Sequence, residues 1–341
     1  MMSEALPTLW FVLIAVLWAG YLFLEGFDLG VGMLMKLMAR NDTQRRVLLN
    51  TVGPVWDGNE VWLVTAVGAT FAAFPLWYAS LLSALYLPFL LVLLGLIFRA
   101  VAFEWRGKQD SDAWRNRWDW AIALGSFAAA AGIGAALALT TTGLPLDANG
   151  DRVGGAFAWA TAPAFLGAAA VVLFCLVHAA AFIALKTEGG VRAQADRLFR
   201  RLLPIAMLPF LGWALLVQLD AGSAVTWLAV ALAIAALTAS YRSALSGRDG
   251  RAFAALGVGM LALVGSVFAA VFPVVLPSTV DPAFDLTVSN ASSSPYTLGV
   301  MSVVACFGLP LVLAYQAWTY WVFRRRVSEA SIPAAHGVTA L

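Results

Sequence analysis

Cysteine and histidine are nearly absent from this chain, two of each among 341 residues. Cys175 and Cys306 lie far apart in apolar stretches with no CxxC or other ligand spacing, which excludes a disulfide framework or zinc site and leaves two small apolar side chains. With only His178 and His336 and no cysteine cluster, the chain alone could not ligate several haems or a copper centre. Charge is scarce too: Asp, Glu, Lys and Arg make up 12% of residues against 62% hydrophobic, where a soluble domain has roughly 25% and 45–50%. A water-soluble fold could not hide that much apolar surface. The net charge of +2, dispersed in short clusters, argues against a nucleic-acid partner. No Lys or Arg precedes the first apolar run, and Glu25 and Asp28 stand where small cleavage-site residues would be expected, so this run is expected to remain a membrane helix.

What the chain does have is long apolar runs. A hydrocarbon core of about 30 Å needs about 20 helical residues to cross it, and nine runs of that order are bounded by charges, Pro or Gly: 7–35, 54–74, 77–98, 118–142, 157–185, 202–219, 224–241, 253–276 and 296–323. The expected architecture is an all-α integral membrane protein, one polytopic domain over 1–326 embedded in a lipid bilayer. The second run is the least uniform, opening with Trp56-Asp57-Gly58-Asn59-Glu60. Connections 144–155 and 277–295, rich in Gly, Pro, Asp and Ser, read as solvent-facing loops, and the tail 327–341 is expected to lack order.

Basic residues set the orientation. Lys36, Arg40, Arg45 and Arg46 follow the first run; Arg99, Arg106, Lys108, Arg115 and Arg117 follow the third; Lys186, Arg192, Arg197, Arg200 and Arg201 follow the fifth. Arg242, Arg248 and Arg251 follow the seventh, and Arg324, Arg325 and Arg326 the ninth. These positions hold all but one of the 21 basic residues; only Arg152 falls in the opposite set of connections. By the positive-inside rule the basic side is cytoplasmic, which predicts an external N-terminus and a cytoplasmic C-terminus, as an odd number of spans requires.

Acids inside a bilayer cost about 2.5–3.5 kcal/mol each on insertion scales, so each is a functional candidate. Glu25 and Asp28 are three apart on the first helix, on one face, roughly 12–16 Å from the cytoplasmic helix end when counted back from Lys36. Asp57 and Glu60 repeat that spacing at the start of the second helix, beside Trp56 and Asn59; Arg99 closes the third, and Glu104 follows. These groups converge on the cytoplasmic half of the first three helices, a pattern suited to a half-channel leading protons inward. Burial penalises the charged form of an acid, so buried acid pairs can exchange protons near neutral pH. The plainer reading is that these charges neutralise one another, Arg99 with Asp28 or Asp57, and hold three helices in register. Gly26, Gly30 and Gly32 read as helix-packing surface. For His178, an interhelical hydrogen bond is favoured over haem ligation. Trp10, Trp77, Trp159 and Trp227 fall near helix ends and fit the membrane interface.

Three segments carry a family resemblance: Leu24-Glu25-Gly26-Phe27-Asp28-Leu29-Gly30-Val31-Gly32, Gly53-Pro54-Val55-Trp56-Asp57-Gly58-Asn59-Glu60-Val61-Trp62, and Arg99-Ala100-Val101-Ala102-Phe103-Glu104-Trp105-Arg106. Together they resemble subunit II of the cytochrome bd quinol oxidases; the second half is similar in helix spacing more than in motifs. The resemblance implies two four-helix bundles plus one peripheral helix, packed as a heterodimer against a homologous subunit I that carries two haems b and haem d and oxidises quinol. It implies no haem ligand and no catalytic residue in this chain. Its share would be a path for cytoplasmic protons lined by Asp57, Trp56, Asp28, Arg99 and Glu25, to which the residue spacing described above adds Glu60, Asn59 and Glu104 as candidates. Some members hold a quinone as a structural lipid in subunit II, with contacts the motifs do not assign, and small accessory subunits are typical. Two alternatives stay open: a proton-coupled secondary transporter, which would need broken helices in an inverted repeat, and a purely structural assembly subunit.

Overall fold

The computed structural model describes residues 2–332. The chain runs through α1 (Met2–Met38), α2 (Asp42–Val52), α3 (Trp56–Ala73), α4 (Pro75–Ala84), α5 (Tyr86–Trp105) and α6 (Asp112–Thr142). It continues through α7 (Ala162–Lys186), α8 (Gly189–Ala206), α9 (Leu208–Ala221), α10 (Ala224–Leu245), α11 (Asp249–Val271) and α12 (Pro295–Val322). A short antiparallel hairpin, β1 (Val274–Leu276) and β2 (Leu286–Thr287), lies between α11 and α12 and pairs Val274 with Thr287 and Leu276 with Leu286. Helix dominates because lipid offers no hydrogen-bond partner, so backbone groups must be satisfied within the segment. Starts are marked by side-chain caps: Asn41 accepts from the Gln44 amide ahead of α2, Ser111 from Trp114 ahead of α6, and Ser223 and Thr226 form a capping box on α10.

Among the described residues, eight helical segments are long and apolar enough to cross a membrane. The second of the nine expected runs does form a helix, α3, but its opening Asp57, Asn59 and Glu60 leave it too polar on average to count with the others. The third run is interrupted at Leu85, where α4 gives way to α5 just before Pro88, and the sixth at Met207, between Pro204 and Pro209. Proline cannot donate to the preceding turn and clashes with it, which accounts for both breaks. The eighth run ends as helix at Val271, ahead of Pro273, and its last residues become β1.

Helices α1, α3, α5 and α6 form one group and α7, α9, α10 and α11 another, joined where α7 packs on α1 and α6. The α1/α7 crossing is very close: a Cβ added to Gly30 would lie 1.9 Å from the Cys175 carbonyl oxygen and 2.5 Å from Ala179 Cβ. Gly26 faces Phe174 and Gly32 faces Ser126, so all three glycines serve helix approach. Helix α12 stands apart. In its most apolar stretch only 6% of residues are buried, against 72% in α6.

The five basic groups gather at one end of the helices. Lys36 donates to Asn116, Arg106 pairs with Asp42 and Asp119, Gln194 donates to the Met38 carbonyl, and Asp249 receives Arg192 and Arg326. At the other end, the two loops read as solvent-facing bind each other instead. Leu144 N donates to Pro277 O at 3.0 Å and Thr279 N to Leu144 O at 2.9 Å, and Leu144, Leu146, Val275 and Leu276 are buried beneath. Part of the tail expected to lack order is also docked. Val327 pairs with Thr187, and Gln44 donates to Glu329; residues 333–341, with His336, lie outside the described residues.

Candidate functional site

Four helices bring polar side chains to one buried point. Glu25 and Asp28 project from one face of α1, and Trp56, Asn59 and Glu60, spaced i, i+3, i+4, from one face of α3. Arg99 and Phe103 share a face of α5, and α12 adds Gln316 and Tyr320. Glu25, Asp28, Asn59 and Arg99 are all fully buried.

Arg99 is the hub of one half. Its Nη2 lies 3.0 Å from Glu25 Oε1, an ion pair without hydrogen-bond alignment, and its Nη1 lies 3.3 Å from Glu60 Oε2. Its guanidinium also sits over Phe103 at 5.2 Å and Trp56 at 5.9 Å, two rings that stack on each other at 5.0 Å. Asn59 is the hub of the other. Its Nδ2 donates to Asp28 Oδ2 at 2.6 Å and reaches the Leu24 carbonyl at 3.2 Å, while its Oδ1 accepts from Gln316 Nε2 at 2.7 Å and Tyr320 OH at 2.8 Å. One amide thus ties α1, α3 and α12. Asp28 Oδ1 and the nearby Tyr21 hydroxyl are buried with no hydrogen-bond partner among the described residues.

Six of the eight expected site residues meet here: Glu25, Asp28, Trp56, Asn59, Glu60 and Arg99. Asp57 and Glu104 do not; both side chains are exposed in this chain and make no ion pair among the described residues. Helical geometry explains this, since Asp57 lies at the edge of the α3 face that reaches Arg99, and Glu104, five residues past Arg99, points to the opposite side of α5. Arg99 pairs with Glu25 and Glu60 rather than with Asp28 or Asp57. Gln316 and Tyr320 escaped the sequence reading. A lone amide in the otherwise apolar run 296–323 was the available signal.

Two further charge clusters sit at the basic end. Arg106 binds Asp119 at 2.6 Å and Asp42 at 2.5 Å, with Arg45 3.5 Å from Asp119. Burial opposes the Arg106 charge, but the hydrogen bonds it donates to Asp119 and Asp42 outweigh that and raise its pKa. Asp249 receives Arg192 at 2.9 Å and Arg326 at 3.0 Å. These clusters clamp helix ends.

His178 does not fit a haem. Its Nε2 lies 2.9 Å from the Phe23 carbonyl oxygen, linking α7 to α1, and its ring is stacked between Phe174 and Phe253, with Phe23 and Phe27 alongside. A porphyrin would have to displace this aromatic cage. Among the described residues no cluster of three or more His, Cys, Asp or Glu side chains could hold a metal ion.

Comparison with known proteins bears on the whole chain. Residues 6–323 match the family described as cytochrome bd terminal oxidase subunit II. The chain is similar to cytochrome bd ubiquinol oxidase subunit 2 of Bacillus subtilis, 41% identical over 330 residues covering 95% of this chain and 98% of the relative. It is also similar to cytochrome bd-I ubiquinol oxidase subunit 2 of Escherichia coli, 31% identical over 367 residues covering 96% and 97%. Its fold resembles a chain in the structure of the bd oxidase from Geobacillus thermodenitrificans, with a TM-score of 0.78 at 18% identity, covering 94% of this chain and 98% of that one. With a polar cluster in its motif-bearing helices and matches along almost its entire length, the chain belongs to the cytochrome bd terminal oxidase subunit II family and is a multi-pass membrane subunit of a bacterial oxidoreductase.

Proposed function

We propose that this chain partners a haem-bearing subunit I in a quinol-oxidising complex and supplies part of the route by which protons travel from the basic end of the helices to the partner's oxygen-reducing site. Relatives named ubiquinol oxidase support quinol as the electron donor, and the family resemblance implies that subunit I would hold two haems b and haem d. Those groups would supply electron transfer and oxygen reduction. This chain's residues hold and pass protons.

The observation that carries the reading is a gradient of carboxylates around one cation: Asp57 exposed, the Glu60 side chain 19% exposed, Glu25 and Asp28 buried. Glu25 and Glu60 share a single guanidinium, Arg99, while Asp28 is held by the neutral Asn59 amide. Uncompensated buried charge is costly, so such a group is expected to carry protons it can exchange. The unpartnered Tyr21 hydroxyl and Asp28 Oδ1 are natural attachment points for bridging water. Asp57 and Glu104, at the surface, would serve as entry groups or as contacts with the partner.

A structural role has its own support, because Arg99 and Asn59 together tie α1, α3, α5 and α12. Asp28→Asn, Glu25→Gln and Asp57→Asn, each made in the intact complex, separate the two by quinol oxidase turnover and the optical haem spectrum. Unchanged haem with turnover reduced about tenfold or more favours the proton route. Lost haem favours assembly, and normal values for both remove these residues from either role.

A further inference from the structure

A second feature, independent of the proton route, lies where α12 ends over α1, α7 and α11. A cavity of about 700 Å³ opens there, with a floor that includes Phe23, Phe27, Phe182 and Phe253. Its rim is basic: Lys186, Arg324, Arg325 and Arg326 line it, and among the described residues no Asp or Glu does. Lys186 is committed to the Phe323 and Arg325 carbonyls, and Arg326 to Asp249. Arg324 has one nitrogen on the Trp321 carbonyl and its plane over the Trp321 ring at 4.5 Å. Arg325 is exposed and its side chain makes no hydrogen bond or ion pair among the described residues. The cavity abuts a second, almost wholly apolar one of about 710 Å³, with which it shares Phe23, Leu24 and Tyr320 and which continues along α1 to Phe11. From Phe27 to Phe11 the trough follows sixteen residues of helix, roughly 24 Å at 1.5 Å per residue. One leaflet's tails span about 15 Å, half of the hydrocarbon core.

We propose that this trough holds an anionic glycerophospholipid, its phosphate on Arg324 and Arg325 and its acyl tails on the phenylalanine floor beneath α12. A basic pocket between helices at one membrane face is the chemistry that selects such a headgroup. The apolar floor distinguishes a lipid from free phosphate. Because α12 is otherwise so little buried, the tails would fill the gap between it and α1.

The test uses the complete complex purified in mild detergent, with bound lipid quantified by mass spectrometry after extraction. Phosphatidylglycerol is then returned to delipidated complex, with phosphatidylcholine and inorganic phosphate as comparisons. An anionic phospholipid that co-purifies stoichiometrically, and whose retention falls roughly twentyfold in the double variant Arg324→Gln/Arg325→Gln, is the expected result. The Arg324→Lys/Arg325→Lys variant should keep it, which controls for misfolding. Equal retention in the Gln variant, equal rebinding of phosphatidylcholine, or recovery of only a neutral isoprenoid lipid from the trough would overturn the proposal.

Discussion

Arg99 Nη2 stands 3.0 Å from Glu25 Oε1, and both side chains are fully buried. Since Glu60 shares the same guanidinium, its removal strands two carboxylates. Arg99→Met is therefore expected to destabilise the subunit by about 3–5 kcal/mol, read as a lower thermal midpoint of the detergent-solubilised complex. Arg99→Lys keeps the charge but lacks the fork that reaches both acids, and should lose less. Equal midpoints for Met and wild type would show that the pair contributes nothing.

Asn59 makes the hydrogen bonds that join Asp28, Gln316 and Tyr320. Asn59→Leu removes all of them at similar volume and leaves buried partners unsatisfied, at about 1–3 kcal/mol for each orphaned group. The same loss should loosen α12, detected as faster hydrogen exchange or proteolysis between α11 and α12. Unchanged protection of α12 would contradict that account.

Gly30→Ala tests the α1/α7 crossing. Its new methyl would lie 1.9 Å from a backbone carbonyl, which cannot rotate aside, so the cost should meet or exceed the usual 1–3 kcal/mol of overpacking. Gly68→Ala on α3 meets nothing within 4 Å and should be neutral or slightly stabilising, by up to about 1 kcal/mol. Expression level and thermal midpoint of the two variants make the comparison.

The charge clusters at the basic end should differ sharply in weight. Asp119→Asn weakens the buried partner of Arg106 and is expected to cost several kcal/mol. Arg115 pairs with Asp110 and Asp112, whose side chains are 73% and 97% exposed, so Arg115→Ala should cost less than about 1 kcal/mol. Denaturation midpoints that rank the other way would refute the burial argument.

The membrane architecture was legible because lipid imposes a length and a composition on every span; α1, α6, α7 and α11 fall close to their expected places. The site was legible through helical spacing, which put Glu25 with Asp28 and Asn59 with Glu60. Hydropathy alone did not reveal that α12 completes the cluster, since one Gln and one Tyr barely alter the average of a 28-residue helix. Nor did it reveal that 144–155 and 277–295 pair with each other. Loop polarity predicts contact with water, but Leu144 and Leu146 in the first loop pack with Val275 and Leu276, which lie just ahead of the second at the end of an apolar run.

Helix α12 is fastened to its neighbours near one end by Trp10, which donates to the Leu298 carbonyl and Ser302, and near the other by Asn59. Between those rivets it leans on little else. A sideways shift of the last helix would therefore pull directly on the amide that solvates Asp28, so whatever lies along that outer flank, lipid or neighbouring subunit, has a mechanical handle on a fully buried acid.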